Sequence, residues 1–256
     1  MTSAGAGELL RQWRQRRHLS QLDLAIEASV SARHLSFVET GRAKPTSEMI
    51  MRLAEHLEVP LRDRNKLLLA GGYAPAYPEH ALTDPELRKV RNALTRILKG
   101  HEPYPAAIVD RHWKLVDANA QIALFTDGAA EHLLRPPVNV LRLSLHPDGM
   151  ASRILNLPEW RAHLLGRLHR QFQATGDPEL TGLYDELAAY PGGEAARPHP
   201  ADVIVPLRYR TTSGELSFIS ITAVLGTPMD VTVQELAIES FYPADEQTAR
   251  SFTAHA

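Results

Sequence analysis

Side chains that can donate hydrogen bonds or carry positive charge are concentrated between residues 29 and 45, in a segment with helical spacing. Ser31 stands before the helical run, where its hydroxyl can accept a hydrogen bond from a backbone N–H of the first turn. Gly41 follows the run, and Arg42 and Lys44 lie just beyond it as a basic tail suited to a phosphate. The positions from which some side chains must point outward are Arg33, His34, Ser36 and Phe37. Such a helix has the chemistry to read base edges in DNA.

A second short helix must position this one. Ser20 and Gln21 open a run that carries Leu24 and Ala25 and ends near Ala28, so only a tight turn separates the two helices. Two short helices joined in this way form a helix-turn-helix. The alternative is an ordinary amphipathic helical hairpin whose basic residues are merely solvated.

The amino-acid sequence around this motif resembles that of a known protein family. RQRRHLSQLDLA, residues 14–25, followed by VSARHLSFVETGRAKP, residues 30–45, resembles the five-helix repressor-type helix-turn-helix of phage repressors and bacterial xenobiotic-response-element regulators. The likeness covers roughly residues 7–70, with a fourth helix expected from about Ser47 to Leu57 and a fifth from Leu61 to Ala70. The predicted N-terminal domain is therefore an all-α, five-helix repressor-type domain.

The resemblance also implies roles for single residues. Gln21 matches the position that hydrogen-bonds a phosphate, and the base-facing positions are Ser31, Ala32, Arg33 and Phe37. Arg33 is the best candidate to read a guanine, and Ala32 and Phe37 are candidates for a thymine methyl. Many repressors carry a glutamine where Phe37 stands, so packing is an alternative role for Phe37. Because one such unit makes few contacts, tight binding predicts a homodimer on a two-fold operator in double-stranded DNA.

Composition indicates a two-domain chain. Its 256 residues exceed the usual size of one domain, and the first 72 carry eleven Lys and Arg against eight Asp and Glu in a chain of net charge −2. The absence of cysteine excludes disulfides, and no apolar run has the length of a signal core or a membrane span. The expected location is the cytoplasm, without membrane contact. We predict a DNA-binding domain over residues 1–72, a proline-containing linker over 73–84 and a second domain over 85–256.

The second domain combines helices and strands. A leading helix is expected over residues 85–99, a β-hairpin over 106–119 and an amphipathic helix over 157–175. Three further strands are expected over residues 203–210, 216–225 and 233–241. This order predicts an α+β domain, an antiparallel sheet with helices, and resembles a PAS-like sensor domain.

Four longer sequence segments resemble, more specifically, the ligand-binding domain of MmyB-like transcription regulators. The segments are WKLVDANAQIALF from Trp113, VNVLRLSLHPDGM from Val138, PLRYRTTSGELSF from Pro206 and DVTVQELAIESFYPAD from Asp230. In that family a repressor-type helix-turn-helix precedes such a domain. RHLSFVETGR, residues 33–42, and LLLAGGYAPAY, residues 67–77, also match that family's pattern. The resemblance implies a bacterial regulator that binds a small amphipathic molecule, with long-chain fatty acids favoured. No covalent cofactor is expected.

A carboxylate ligand needs an apolar slot with a positive group at its mouth. Asn139, Arg142 and His146 are spaced to share one face if residues 138–146 are helical, and Arg142 is the leading anchor. The alternative is that Arg142 pairs with a local acid and that Asn139 merely caps the helix. Residues that could line the slot, although core packing alone would explain each, are Trp113, Leu115, Phe125, Leu141, Trp160, Leu164, Phe218 and Ile221.

Two other functions for the second domain remain open. It could be an enzyme, but the chain contains no nucleophile elbow, phosphate-binding loop or dinucleotide motif, and no catalytic residue is assigned. The twelve histidines are scattered without the close pairing of a zinc site, so no metal site is predicted. It could also be a constitutive dimerisation domain without a ligand. An apolar cavity of a few hundred cubic ångströms would argue against that reading, and a solid core would favour it.

Overall fold

The structure, a computed structural model, describes residues 5–193 and 204–253. The chain divides into two compact units, one built from residues 1–84 and 227–234 and the other from residues 85–226 and 235–256. The segment 73–84, expected as a linker, is grouped with the first unit. Within that unit the Asn65 side-chain oxygen accepts the backbone N–H groups of Ala76 and Tyr77 at 3.0 and 3.1 Å, which holds the segment against the end of the helical domain.

The first unit is helical, as predicted. Its five main helices are α1 (Ala6–Arg16), α2 (Gln21–Glu27), α3 (Ala32–Glu39), α4 (Ser47–His56) and α5 (Leu61–Ala70). Ser20 and Ser31 are N-caps of α2 and α3, and Ser20 forms a reciprocal capping box with Asp23. The core between the helices is apolar and includes Leu10, Leu24, Leu35, Ile50 and Leu53, all inaccessible to solvent.

In its described residues the second unit has six α-helices before its last strands: α6 (Arg88–Gly100), α7 (Ala123–Thr126), α8 (Glu131–Leu134), α9 (Val140–Leu145), α10 (Leu157–Thr175) and α11 (Pro178–Ala189). Its strands are β1 (Ala106–Val109), β2 (Leu115–Ala118), β3 (Leu207–Thr211), β4 (Gly214–Val224) and β5 (Ala237–Pro243). The unit is an α+β domain of the predicted PAS-like class, and the predicted helix over 157–175 is confirmed.

The five strands form one antiparallel sheet in the order β2-β1-β5-β4-β3. The first and last strands of the chain thus meet in the middle, where Ile108 of β1 lies opposite Ile238 of β5. The predicted hairpin over 106–119 is confirmed. The first of the three late strands begins at Leu207, later than expected, and Val203 lies outside the described residues.

The last predicted strand, residues 233–241, is wrong at its beginning. Residues 231–234 form a short helix, α12 (Val231–Gln234), and the strand starts at Ala237. Asp230 explains the change because its side chain accepts the backbone N–H of Val233 at 3.2 Å and so favours a helical turn.

The start of α5 in the first unit is capped by a distant residue. Its own N-cap, Pro60, supplies no side-chain hydrogen bond, and the Gln234 side-chain oxygen accepts the Leu61 backbone N–H at 2.6 Å instead. The helix α13 (Glu246–Thr253) completes the second unit.

Candidate functional site

The predicted DNA-reading helix is α3. Some of the side chains predicted to face DNA are exposed and others are half-buried. Arg33 and His34 are exposed, together with the capping Ser31, whereas Ala32 and Ser36 are half-buried. Phe37 is also half-buried, and the Arg33 guanidinium carbon lies 5.4 Å from the centre of its ring. Phe37 therefore contacts the candidate guanine reader, in agreement with the packing alternative, and its contact with a thymine methyl stays a prediction.

The basic tail follows a tight helix end. Gly41 has a φ of +74°, a conformation that glycine adopts without steric penalty, and the backbone N–H groups of Arg42 and Ala43 both donate to the Phe37 carbonyl oxygen. The side chains of Arg42 and Lys44 are exposed. Both cations are thus accessible to a phosphate, as the sequence analysis expected of them, and their contacts with DNA stay predictions.

A buried ion pair holds α1, α2 and α3 together behind this surface. The Arg14 Nε and Nη2 atoms donate to the two Glu39 carboxylate oxygens at 2.7 and 2.8 Å, and Gln21 Nε2 donates to the same carboxylate at 2.8 Å. Burial alone would raise the pKa of Glu39, but the hydrogen bonds from Arg14 and Gln21 and the charges of Arg14 and Arg11 outweigh it and lower the pKa. Gln21 is thereby fixed at the start of α2, and its contact with a phosphate stays a prediction.

The second unit contains an apolar cavity. The cavity has a volume of about 70 Å³ and is partly open to solvent, so it is a narrow slot. Six of the eight residues predicted to line a slot do so: Trp113, Leu115, Phe125, Leu141, Trp160 and Leu164. Phe218 is fully buried in the core without lining the cavity, and Ile221 is 49% exposed.

A charged pair lies in the cavity wall. Arg167 of α10 donates through Nη2 and Nη1 to the Glu239 carboxylate of β5 at 2.6 and 3.2 Å, and its guanidinium carbon lies 4.3 Å from the centre of the Trp113 ring. The sequence analysis predicted an amphipathic helix over residues 157–175 but assigned no ligand role to Arg167. A signal was present, since Arg167 follows Leu164 by three residues and Trp160 by seven and so shares their face.

The three predicted ligand-binding residues do not line the cavity. Arg142 donates through Nε and Nη2 to the Glu186 carboxylate at 2.6 and 2.7 Å, and Tyr190 donates to the same carboxylate at 2.5 Å. Hydrogen bonding to Arg142 lowers the pKa of Glu186, while burial and the hydrogen bond to Glu186 raise the pKa of Tyr190 to about 12. Asn139 caps α9 by accepting the Arg142 backbone N–H at 3.0 Å. These contacts agree with the alternative reading of Arg142 and Asn139, and a ligand role stays a prediction.

His146 lies at the other end of α9 from Asn139. It is the C-cap residue of that helix, and its ring packs against Tyr190 with the ring centres 5.1 Å apart. Its nearest acid is Asp148, with 3.9 Å between the histidine Nδ1 and a carboxylate oxygen. This places His146 at the surface next to the Arg142–Glu186 pair and outside the cavity lining.

A repressor-type helical unit and a PAS-like unit with an apolar cavity define a transcription regulator that binds DNA and carries a ligand-binding domain. Comparison with protein families agrees: the MmyB-like transcription regulator ligand binding domain matches residues 90–254, and a helix-turn-helix domain matches residues 6–67. The chain belongs to the MmyB-like transcription regulators, and it is a transcription factor rather than an enzyme.

Comparison with solved structures found three chains with limited similarity. The clp gene regulator ClgR from Corynebacterium glutamicum is 23% identical, over 38% of this chain and 90% of that one, with a TM-score of 0.23. The SinR–SinI protein complex contains a chain that is 26% identical, over 36% of this chain and 81% of that one, with a TM-score of 0.23. An RNA-binding light-oxygen-voltage receptor is 14% identical, over 96% of this chain and 64% of that one, with a TM-score of 0.25.

A comparison with curated proteins gave no significant match. Separately, none of the helices in residues 5–193 and 204–253 combines the length and apolar character needed to span a bilayer.

Proposed function

We propose that this protein is a cytoplasmic, ligand-responsive regulator that binds a two-fold operator as a homodimer and senses a long-chain fatty acid or a similar amphipathic anion. The observation that carries the proposal is the apolar cavity with Arg167 in its wall. A ligand shifts the balance between DNA-competent and DNA-incompetent dimers only if it prefers one of them. If saturating fatty acid leaves operator affinity unchanged, the switching part of the proposal fails.

The cavity lining favours an apolar chain. All but five of its nineteen lining residues are apolar, and its polar members are Thr126, Ser144, Arg167, Ser220 and Glu239. Four of these already have partners, since the Trp160 ring N–H donates to the Ser144 hydroxyl at 3.1 Å, the Thr126 hydroxyl donates to the Ala123 carbonyl oxygen at 3.5 Å and Arg167 pairs with Glu239. A narrow slot with few unpaired polar groups suits an alkyl chain better than a sugar or a nucleotide. At about 70 Å³ the cavity is smaller than the few hundred cubic ångströms that would argue against a domain that serves dimerisation alone, so that alternative stays open.

Arg167 is the group in the wall that can hold a carboxylate. A guanidinium has five N–H donors, and Glu239 uses one on each terminal nitrogen. The remaining edge, which includes Nε, can donate two hydrogen bonds to a second carboxylate, in the bidentate geometry that arginine favours. The contact with the Trp113 ring, 4.3 Å from the guanidinium carbon to the ring centre, restricts the movement of the guanidinium. We therefore place the ligand head group at Arg167 rather than at Arg142.

Native mass spectrometry of the full chain tests the ligand class directly. The protein is sprayed without denaturation, the mass added to the apo chain is measured, and the small molecules are extracted and identified. A fatty acid in about one copy per chain would support the proposal. If protein delipidated and then mixed with excess palmitate gives only the apo mass under conditions that preserve the dimer, the fatty-acid proposal is overturned.

Replacing Arg167 with methionine should weaken fatty-acid binding by about 1.5–3 kcal/mol, or roughly ten- to a hundredfold, the range for a hydrogen bond to a charged group. Glu239→Gln should preserve or strengthen binding, because it keeps the cation and removes a competing carboxylate. Displacement of a fluorescent fatty acid measures all the affinities.

Two matched variants separate a head-group contact from a general effect of charge. Arg170→Met removes an exposed cation from the same helix and should leave affinity unchanged. Arg142→Met tests the anchor that the sequence favoured. A larger loss in Arg142→Met than in Arg167→Met would return the head group to Arg142 and contradict our placement.

Replacing Arg33 with alanine should reduce discrimination at one operator position by about 1–3 kcal/mol, the value of a bidentate contact with guanine. Arg42→Ala should instead weaken binding to all sequences alike and lower the slope of log affinity against log salt by about one. Fluorescence anisotropy with operators substituted at each base pair, over a series of salt concentrations, measures both. A uniform loss for Arg33→Ala would mean that Arg33 contacts phosphate only.

The homodimer has its own test. Sedimentation velocity of the full chain should show a dimer, alone or on operator DNA, and half-sites should lie about one helical turn apart, roughly 34–36 Å. A complex of one chain per operator across a tenfold range of protein concentration would contradict the two-fold arrangement.

A further inference from the structure

Two histidines and an aspartate that are well separated in sequence meet at the surface of the second unit. His132 lies in α8, His146 caps the end of α9 and Asp148 lies in the turn that follows. One ligand atom of each residue lies within 4.8 Å of the corresponding atom of the other two. Within residues 5–193 and 204–253 this is the one such group of three metal-ligating side chains, and neither the DNA-reading surface nor the cavity uses it.

The backbone holds the three residues in place. The Ala130 backbone N–H, at the start of α8, donates to the Asp148 carbonyl oxygen at 2.8 Å and so ties the helix to the turn. The turn itself is closed by bonds from the Gly149 N–H to the His146 oxygen and from the Met150 N–H to the Leu143 oxygen, both at 2.9 Å. A side chain at Gly149 would place its Cβ 2.2 Å from that Leu143 oxygen, so the turn packs closely against α9.

The side chains have the ligand chemistry of a borderline metal ion. Imidazole nitrogens with a carboxylate oxygen suit zinc, copper and nickel, and three protein ligands with water in the remaining position form an open zinc site. The rings of His132 and His146 meet edge to face with their centres 5.4 Å apart. Tetrahedral zinc ligands lie roughly 3.3 Å from one another, so the side chains need to close by up to about 1.5 Å. His132 and Asp148 are exposed, and rotation about their side-chain bonds can supply this movement.

One existing contact changes if His146 binds the ion through Nδ1 and is kept if it binds through Nε2. The His146 Nδ1 atom accepts the Asp148 backbone N–H at 3.1 Å and lies 3.9 Å from an Asp148 carboxylate oxygen. A metal ion at Nδ1 takes the lone pair that this hydrogen bond uses. Because the bond lies at the surface, water can accept the released N–H, and the net loss is small. The packing of the His146 ring against Tyr190 restricts the ring to an orientation close to the one observed.

We propose that His132, His146 and Asp148 bind a divalent transition-metal ion of the zinc class, with water completing its coordination. The ion joins α8 to the turn after α9. Both the turn and α9 contribute to the cavity wall, through Met150 and through Leu141 and Leu143. Bound metal therefore stabilises one wall of the cavity as well as the surface on which it sits.

The test uses the full chain without an affinity tag, freed of metal by chelation. Titration with Zn²⁺ against a chromophoric chelator should show one site per chain, and Co²⁺ should give the visible absorption of a four- or five-coordinate site. His132→Ala and Asp148→Asn, which change exposed side chains, should each weaken Zn²⁺ binding at least about tenfold, the lower limit known for residues that only support a metal ligand. Zn²⁺ should also raise the unfolding temperature of the wild type but not of these variants.

His56→Ala is the matched control, because His56 is also an exposed histidine on a helix and should leave the affinity unchanged. The proposal is overturned if the wild type binds no Zn²⁺ at micromolar concentrations. It is equally overturned if His132→Ala and Asp148→Asn bind Zn²⁺ as the wild type does, since the ion would then sit elsewhere.

Discussion

Replacing Glu39 with alanine should destabilise the DNA-binding unit by about 3–5 kcal/mol, because it leaves the buried Arg14 guanidinium without its counter-ion. The Glu39 side chain is 1% exposed and that of Arg14 11%, so water cannot replace the lost carboxylate. Gln21 Nε2 would lose its acceptor as well. Hydrogen exchange of α1, α2 and α3, followed by mass spectrometry, measures the effect within the full chain, where the second unit serves as an internal reference.

Glu48→Ala is the control for this variant. It removes another glutamate of the same unit, one that is 81% exposed and pairs with Arg52 four residues away, and such a pair contributes only about 0.3–0.5 kcal/mol. The double variant Arg14→Met/Glu39→Leu should recover most of the stability, since apolar residues of similar volume often replace a buried ion pair without loss. If Glu39→Ala and Glu48→Ala had equal effects, burial of the Arg14–Glu39 pair would not matter to stability.

The same pair gives a pH dependence with a definite sign. The folded unit lowers the pKa of Glu39 below the ordinary carboxyl value of 4.5, so the contribution of Glu39 to stability is complete above that pH and is lost as the pH falls through the lowered pKa. The difference in stability between the wild type and Glu39→Ala should therefore be constant near neutral pH and shrink in acid. A difference that grew in acid would contradict this assignment.

Replacing Gly7 with alanine should destabilise the same unit by at least about 3 kcal/mol, the upper end of the range for an overpacked core. A Cβ atom on Gly7 would lie 1.9 Å from the Val38 carbonyl oxygen and 2.8 Å from its carbon. The obstacle is backbone, so α1 must move away from α3, and the better helix propensity of alanine, about 1 kcal/mol, cannot offset that. Operator affinity should fall with stability, since α3 carries the reading surface.

Gly182→Ala is the matched control, because Gly182 is also a glycine within a helix but has nothing within 4 Å of the position of its Cβ. It should stabilise its own unit by up to about 1 kcal/mol. Hydrogen exchange at α1 and α3 separates the two variants. Wild-type protection of α1 in Gly7→Ala would show that the two helices can separate without loss.

Local signals explain why much of the DNA-binding unit could be predicted. A capping serine, apolar positions at helical spacing and a terminal glycine act over a few residues, so Ser20, Ser31 and Gly41 mark the helix ends without knowledge of the rest of the chain. The prediction of where β5 begins was wrong for a related reason. Val231 and Val233 have the apolar character of a strand, but the Asp230 side chain favours a turn, and the turn is what forms.

The charged residues of the second unit show what the sequence could not decide. Arg142 and Arg167 are both arginines on helices, and their spacing gives no means of knowing that Glu186 on α11 faces one and Glu239 on β5 the other. The same holds for His132 and His146, which are fourteen positions apart and meet only because α8 folds back on the turn after α9.

The sequence by itself determined the class of each domain, the helix ends of the DNA-reading motif and the family to which the chain belongs. These depend on short-range patterns and on long sequence segments that resemble those of the family. Only the tertiary structure decided that the face of α10 with Arg167 borders a cavity, which acids pair with Arg142 and Arg167, and that His132 and His146 meet. Those are contacts between residues far apart in the chain, and their geometry follows from how the sheet and helices pack rather than from spacing along the sequence.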